Sequence, residues 1–181
     1  LNLFMNPILR LFKSLFKKIN YNLHKIEPLN INHEFPDANN FERETLKICS
    51  DYSMTGYERM FALMKSIQFI RHHNVDGDFV ECGVWKGGNL ILFQKFIDKY
   101  NLNKKIYAYD TFEGMTEPDT IDQTFKGENS IDLLNKLYKK KVDRKQNILI
   151  ADCSIDDVNN NFKKFSNKDN LICIKGPVEK T

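Results

Sequence analysis

Residues 78–89 read DFVECGVWKGGN, and the interpretation of the whole chain starts from this stretch. It holds three of the eight glycines in the 181-residue sequence, together with the single tryptophan. Its first half is an apolar run typical of a buried strand, and the glycines lead directly into a helical pattern. A glycine-rich turn of this kind brings backbone N–H groups close to a polar or negatively charged ligand. The stretch therefore predicts a ligand site where a strand ends.

Strands and helices alternate around this turn. The patterns predict strands at 78–84, 104–112, 147–153 and 170–176, and helices at 88–100, 129–141 and 154–165. The last helix is expected to begin with a capping pair, Ser154 and Asp157. An earlier helix is expected to begin near Thr55 or Gly56, with Glu58 at the spacing of a capping box. This alternation predicts an α/β fold with a mostly parallel sheet, whose ligands bind beyond the carboxyl ends of the strands.

The N-terminal part differs in character from the rest. Residues 7–26 predict a basic amphipathic helix, which could contact an anionic membrane surface, dock on its own domain or mediate homo-oligomer formation. Residues 27–45 contain two prolines, four asparagines and one aspartate, and predict a loop or a poorly ordered connection. We therefore divide the chain into an N-terminal helix and linker, 1–50, and the N-terminal part of an α/β domain, 51–181.

The composition argues against several classes of function. The net charge is only +3, from 27 basic and 24 acidic residues, so no nucleic-acid partner is predicted. The basic run 139–145 fits a solvated helix end. The four cysteines and four histidines lack zinc-binding spacing, so no metal site is predicted in this chain. The cysteines are expected to be reduced thiols, which predicts a cytoplasmic location. No apolar run reaches the roughly 18 residues that a membrane span needs.

Two acidic residues complete the predicted site. Glu81 and Asp110 end neighbouring predicted strands, so they are expected at the same edge of the sheet. Asp110 could accept both hydroxyls of a ribose, while Glu81 could hold an ammonium group or an ordered water. An amino-acid end joined to a ribose describes S-adenosylmethionine. The glycine spacing fits neither a dinucleotide fingerprint nor a P-loop. The alternative is a structural role only, with a tight turn and an acid that caps a loop.

The stretches MTGYERMFAL, GDFVECGVWKGG and YAYDTFEGM resemble the macrocin O-methyltransferase family. SIDDVNNNF and IKGPVEKT resemble later parts of the family more loosely, so the resemblance runs from about Ser53 to Thr181. It implies a Rossmann-like fold dependent on S-adenosylmethionine and an acceptor hydroxyl on a sugar or glycosylated natural product. The function expected is therefore an O-methyltransferase with a small-molecule acceptor.

The resemblance also implies roles for individual residues. The methionine end of the cofactor would be lined by Glu81, Gly83, Gly87 and Gly88. The ribose would be held by Asp110, with Thr111 and Phe112 beside it. Met54 and Thr55 are expected to close over the cofactor. Pro177 and Val178 stand where the family has Trp and Phe, at the expected adenine wall.

The family continues beyond the point that corresponds to Thr181. Its metal-binding acids lie in that later part, so a divalent metal such as Mg²⁺ is expected for the family but its ligands are not expected in this chain. The sheet is accordingly expected to be incomplete, and the chain to be a fragment or a truncated product. No catalytic residue is identified, and Asp152 is better explained as a helix-capping or loop residue. Three rival interpretations are a non-catalytic cofactor-binding fragment, another Rossmann-like enzyme acting on sugar nucleotides, and an interaction module based on the N-terminal helix.

Overall fold

A computed structural model describes residues 35–124, 126–139 and 151–181 of the chain. Residues from Ala38 to Thr181 form one compact unit. The amphipathic helix predicted at 7–26 lies outside the described residues, as do residues 140–145 of the basic run and 147–150 of the third predicted strand. None of the described helices is both long enough and apolar enough to cross a lipid bilayer.

The described residues form an α/β unit. Its helices are α1 (Asn40–Ser50), α2 (Tyr57–His72), α3 (Gly88–Tyr100), α4 (Ser130–Lys139) and α5 (Ile155–Lys163). Its strands are β1 (Phe79–Cys82), β2 (Ile106–Asp110) and β3 (Leu171–Lys175), and a short 3₁₀ helix covers Val178–Lys180. Both strand pairs are parallel, in the order β1-β2-β3. The predicted parallel α/β architecture is therefore confirmed, and the strands at 78–84, 104–112 and 170–176 are found with slightly shorter bounds.

The prediction of a loop over residues 27–45 is wrong for its last part, because α1 begins at Asn40. Asn39 caps this helix: its side chain accepts a hydrogen bond from the Glu42 backbone N at 3.0 Å. The Glu42 carboxylate in turn accepts one from the Asn39 backbone N at 2.7 Å. This reciprocal capping box starts the helix, and fully buried Leu46 and Cys49 anchor it to the unit.

The capping box predicted for α2 is also wrong. Gly56, in an extended conformation, is the N-cap, and no side chain caps the helix. Glu58 therefore occupies the second helical position, where it cannot form the reciprocal pair that a third-position residue forms. The backbone N of Thr55 instead donates to Ser53 Oγ at 2.9 Å.

The segment before α5 has no strand in its described part. Residues 151–153 are irregular, and Ala151 has a φ of 52°, a left-handed conformation that a strand does not accommodate. The capping pair predicted for the helix is confirmed, because Ser154 Oγ accepts from the Asp157 backbone N at 3.1 Å. Asp157 Oδ2 accepts from the Ser154 backbone N at 3.2 Å. The capping pair of α5 could thus be predicted from its local sequence.

Helix α3 is the centre of the core. It packs on β1 and β2 on one side and on α1 and α2 on the other. Its fully buried apolar side chains are Leu90, Ile91, Leu92, Phe96 and Ile97, and burial of each such side chain stabilises the fold by about 1.5–3 kcal/mol. The rings of Phe79 and Phe93 stack with centroids 4.7 Å apart. This stack fixes the second turn of α3 against the start of β1.

A buried ionic group links α1 to α2. Glu42 is fully buried, and its Oε1 accepts hydrogen bonds from Lys65 Nζ at 2.6 Å and Gln68 Nε2 at 2.7 Å. Burial raises the pKa of Glu42, but the hydrogen bonds from Lys65, the Asn39 backbone and Gln68 outweigh it and leave the pKa lowered. The ionised carboxylate therefore stabilises the contact between the two helices.

Candidate cofactor site

A cleft of about 550 Å³ lies at the carboxyl edge of the sheet. Gly83, Thr111 and Gly176 directly follow β1, β2 and β3, and all three line it. The other lining residues are Met54, Cys82, Trp85, Tyr109, Asp110, Gly114, Met115, Thr116, Ala151, Pro177, Val178 and Glu179. The position agrees with the rule that parallel α/β sheets bind ligands beyond their strand ends.

Gly83 leaves open space in the cleft. Its φ is 85°, a conformation that favours glycine, and its backbone N donates to Tyr109 O at 2.9 Å. Among the described residues, no heavy atom outside Gly83 and its two chain neighbours lies within 4 Å of the place where a Cβ would stand. A ligand could therefore approach the backbone closely at this point.

Gly87 and Gly88 have a different role, because neither lines the cleft. A Cβ on Gly88 would lie 2.5 Å from Ser53 Cβ and 2.9 Å from Cys49 O. The backbone N of Gly88 donates to Tyr52 O at 2.9 Å, and that of Gly87 donates to Val84 O at 3.0 Å. Gly88 therefore allows close packing of α3 on the turn after α1, and the N–H groups of both glycines are already paired.

Asp110 fastens the loops around the cleft. Its Oδ2 accepts from the backbone N of Val84 at 2.6 Å and of Trp85 at 3.2 Å. Its Oδ1 accepts from the Phe112 backbone N at 2.9 Å. The Thr111 hydroxyl is 3.3 Å from Oδ1 but 2.8 Å from Gly114 O, so its single hydrogen is better placed on the carbonyl. Since a carboxylate offers about four acceptor positions, the contacts of the described residues leave one position on Oδ1 for a ligand.

Glu81 lies behind the cleft rather than in its lining. Its side chain points to the same face of β1 as Phe79, and its Oε1 accepts from Asn89 Nδ2 at 2.8 Å. Burial raises the pKa of Glu81 to about 7; the hydrogen bond from Asn89 lowers it, and the nearby charge of Asp110 raises it further. The group can therefore change its charge near neutral pH.

Of the remaining predicted residues, some line the cleft and others do not. Met54 and Thr111 line the cleft with Gly83 and Asp110. Thr55 and Phe112 do not, and the Phe112 ring is buried in the core. The structure thus brings four of the nine predicted residues to the cleft surface and places Thr55, Glu81, Gly87, Gly88 and Phe112 outside its lining.

Several lining residues were not predicted from the sequence. Trp85 is the most prominent: it has a left-handed φ of 50°, and Lys86 Nζ stands 4.5 Å from the centroid of its ring. Met115 lies on the loop that follows β2. Only the topology could have indicated these residues, because the loop that follows each parallel strand reaches the carboxyl edge of the sheet. Pro177 and Val178, at the expected adenine wall, do line the cleft.

The described residues fit an adenosine-bearing cofactor. Open space at Gly83, a free acceptor position on Asp110 and the apolar side chains of Met54, Met115 and Val178 are the features such a molecule needs. Among the residues that the structure describes, no group of three His, Cys, Asp or Glu side chains could hold a metal ion.

Comparison with known proteins identifies the family. The family described as Macrocin-O-methyltransferase (TylF) matches residues 13–179. Demethyldecarbamoylnovobiocin O-methyltransferase from Streptomyces niveus is 25% identical over 115 residues, which are 63% of this chain and 39% of that protein. The 8-demethyl-8-(2,3-dimethoxy-alpha-L-rhamnosyl)-tetracenomycin-C 4'-O-methyltransferase of Streptomyces olivaceus is 31% identical over 67 residues, 36% of this chain and 26% of that protein. The chain thus spans well under half the length of these relatives.

The fold is also shared with a solved structure. The O-methyltransferase NovP superposes with a TM-score of 0.51 and 22% sequence identity, covering 69% of this chain and 47% of NovP. This likeness confirms the predicted Rossmann-like methyltransferase fold. Because the family matches nearly all of the sequence, from residue 13 to residue 179, the chain belongs to the macrocin O-methyltransferase family.

Proposed function

We propose that the cleft binds S-adenosylmethionine and that the chain supplies the cofactor-binding part of an O-methyltransferase. The observation that supports this most is the joint placement of Gly83 and Asp110, one open to a close approach and the other with a spare acceptor. Ribose hydroxyls donate to acidic residues at the corresponding strand end of Rossmann-like sheets. Family membership supports the same cofactor.

The residues of this chain would act by binding and positioning. Gly83 would let the cofactor pass close to the end of β1, and Asp110 would accept one ribose hydroxyl, not both as the sequence suggested. Met54, Met115 and Val178 would supply apolar contact area. When bound, the cofactor supplies a sulfonium methyl group that is already activated, so holding it in line with an acceptor oxygen is the main task of the protein.

The acceptor is proposed to be a hydroxyl of a sugar or a glycosylated natural product. The support comes from the relatives, whose names describe O-methylation of novobiocin and of a rhamnosyl tetracenomycin derivative. A divalent metal such as Mg²⁺ is expected with the family, and we assign no ligand for it and no catalytic base to this chain. The cytoplasmic location, the homo-oligomer and the membrane contact of residues 7–26 stay predictions. The first is supported by the cysteines, none of which is disulfide-bonded: Cys49, Cys82, Cys153 and Cys173.

Calorimetric titration of the full chain tests the proposal. We expect S-adenosylmethionine and S-adenosylhomocysteine to bind with micromolar affinity, and NAD and a UDP-sugar not to bind. Binding of the UDP-sugar without binding of S-adenosylmethionine would favour the rival sugar-nucleotide enzyme and contradict the proposal. A radiolabelled methyl-transfer assay with glycosylated acceptors then separates an active enzyme from a cofactor-binding fragment.

A further inference from the structure

A second cleft, of about 330 Å³, lies between α4 and the loop that follows β2. Leucines line it on the side of α4, and Met115 and Pro118 line it on the side of the loop. The side chain of Met115 is 68% exposed, which leaves most of its apolar surface available for a contact. The cleft therefore offers apolar surface from two separate segments of the chain.

Helix α4 turns its leucine face to this cleft. Ser130, Leu133, Leu134 and Leu137 all line it, and their spacing of three, four and seven residues places them on one face of the helix. None of the described side chains of α4 is buried, whereas α5 buries side chains in the core, Phe162 among them. Packing of the described residues therefore does not account for the leucine face, and burial against a ligand would.

Main-chain contacts hold the helix and the loop together. The Ser130 backbone N donates to Asp122 O at 3.0 Å, which ties the first residue of α4 to the loop. Asn129 Oδ1 accepts from the Ile131 backbone N at 3.0 Å and so caps the helix. The cleft is therefore formed in the absence of a ligand, as small-molecule sites usually are.

The second cleft meets the cofactor cleft along the loop after β2. Thr111, Gly114, Met115 and Thr116 line both clefts. A molecule in the second cleft would therefore contact the same segment that the cofactor contacts from the other side. This continuity connects the second cleft to the methyl-transfer reaction.

The chemistry of a glycosylated acceptor decides which of its parts fits the second cleft. Sugar hydroxyls lose their hydrogen bonds to water in an apolar cleft, and this is unfavourable when no partner replaces the water. An apolar ring system gains stability from the same burial. The volume of about 330 Å³ is near the lower end of the range of small-molecule sites, about 300–1,000 Å³, so the cleft suits one part of such an acceptor.

We propose that the second cleft binds the apolar, non-sugar body of the acceptor, while the sugar stays outside it, beside the segment shared with the cofactor cleft. Leu133, Leu134 and Leu137 form one wall of this subsite, and Met115 and Pro118 form the other. This inference rests on the proposed function. It adds that the acceptor carries an apolar ring system and that α4 selects for it.

The test compares two probes that share a sugar but differ in the apolar group. Calorimetry on the full chain, with S-adenosylhomocysteine present, would use 2-naphthyl β-D-glucoside and methyl β-D-glucoside. We expect the naphthyl glucoside to bind at least about tenfold more tightly, because only its ring system can fill the apolar cleft. Equal affinity for the two glucosides, or no binding of the naphthyl glucoside, would overturn the inference.

Variants locate the effect in the cleft. Leu134→Asn and Leu137→Asn should each weaken the naphthyl glucoside by about tenfold, because each removes one apolar side chain from the wall. Ile131→Asn is the matched control, at a half-buried residue of the same helix that does not line the cleft, and should leave the affinity unchanged. Equal weakening by Ile131→Asn and Leu134→Asn would place the probe elsewhere and contradict the assignment.

Binding of S-adenosylhomocysteine, measured on the same proteins, separates the two proposals. All three variants should bind it within about twofold of the parent, which also shows that they fold. If the parent binds S-adenosylhomocysteine but shows no preference for the naphthyl glucoside, only the acceptor subsite is wrong. If the parent does not bind S-adenosylhomocysteine, the proposed function itself fails, and the subsite fails with it.

Discussion

The Asp110 carboxylate accepts a hydrogen bond from the Val84 backbone N at 2.6 Å, and this contact joins the end of β2 to the loop that follows β1. The acid expected to hold a ribose is therefore also a structural tie. Three backbone N–H groups, of Val84, Trp85 and Phe112, converge on it. The two roles are compatible because one acceptor position remains on Oδ1.

Asp110→Asn should therefore affect both stability and binding. Its amide N would face backbone N–H groups in place of an acceptor, so we expect the free energy of unfolding to fall by about 1–3 kcal/mol. S-adenosylmethionine should bind at least about tenfold more weakly. Urea unfolding and calorimetry measure the two effects. Asp76→Asn, at an exposed acid, is the control; loss of binding with unchanged stability would contradict the structural role.

Gly88→Ala should destabilise the fold without a direct effect on the cleft. The new Cβ would lie 2.5 Å from Ser53 Cβ and 2.9 Å from the Cys49 carbonyl, so α3 must shift away from the turn. Overpacking of this kind costs about 1–3 kcal/mol. Chemical unfolding measures it, and an unfolding free energy within about 0.5 kcal/mol of the parent would show that the close packing is not needed.

Gly83→Ala should instead affect cofactor binding more than the stability of the fold. Its Cβ meets no described atom within 4 Å apart from its chain neighbours, so its effect on stability is limited to the left-handed backbone, about 1–2 kcal/mol. Its methyl group would occupy space reserved for the cofactor, and binding should be largely lost. Gly77→Ala is a matched control, with a φ of 97° and open space around it, but outside the cleft. Similar affinity in both variants would place the cofactor elsewhere.

Glu81 should make stability depend on pH. Its pKa is raised from 4.5 to about 7 in the folded chain, so between these values the folded state binds more protons than the unfolded state. The contribution of Glu81 to the free energy of unfolding therefore falls as the pH rises through this window, by roughly 3 kcal/mol in total. In Glu81→Gln this fall should disappear, so the variant gains stability relative to the parent between pH 4.5 and pH 7. Urea titrations at several pH values test this, and parallel pH profiles for the two proteins would contradict it.

Lys65→Met should lower stability at neutral pH but not in acid. Glu42 has a lowered pKa, so its contribution is present above pH 4.5 and is lost as the pH falls through the folded value. The side chain of Lys65 is 42% exposed, so we expect only about 1 kcal/mol at pH 7. The difference in unfolding free energy between Lys65→Met and the parent should shrink toward pH 3. Lys47→Met, at an exposed lysine of α1, is the control, and a difference that persists in acid would point to lost packing instead.

The sequence predicted what local patterns determine. The capping of α5 by Ser154 and Asp157 and the parallel sheet were both predictable because periodicity and capping act over a few residues. The capping box of α1 was missed because Asn39 and Glu42 stand in a stretch whose prolines and asparagines indicate a loop.

The site was predictable only to the level of the sheet edge. That Gly83 faces open space while Gly88 packs on Ser53 depends on contacts distant in sequence. The hydrogen bond between Asp110 and Val84, which gives the acid a structural role, also joins residues distant in sequence. No local pattern marked Trp85 as a residue of the cleft. Its position follows from the turn in which its backbone N donates to Asp110.

A crystal structure of the full chain with S-adenosylhomocysteine tests the central claim most directly. We predict electron density for the ligand in the cleft at the ends of β1, β2 and β3, with a ribose hydroxyl within hydrogen-bond distance of Asp110 Oδ1. Ligand density elsewhere, for example in the neighbouring cleft of about 330 Å³ between α4 and the loop after β2, would contradict the account.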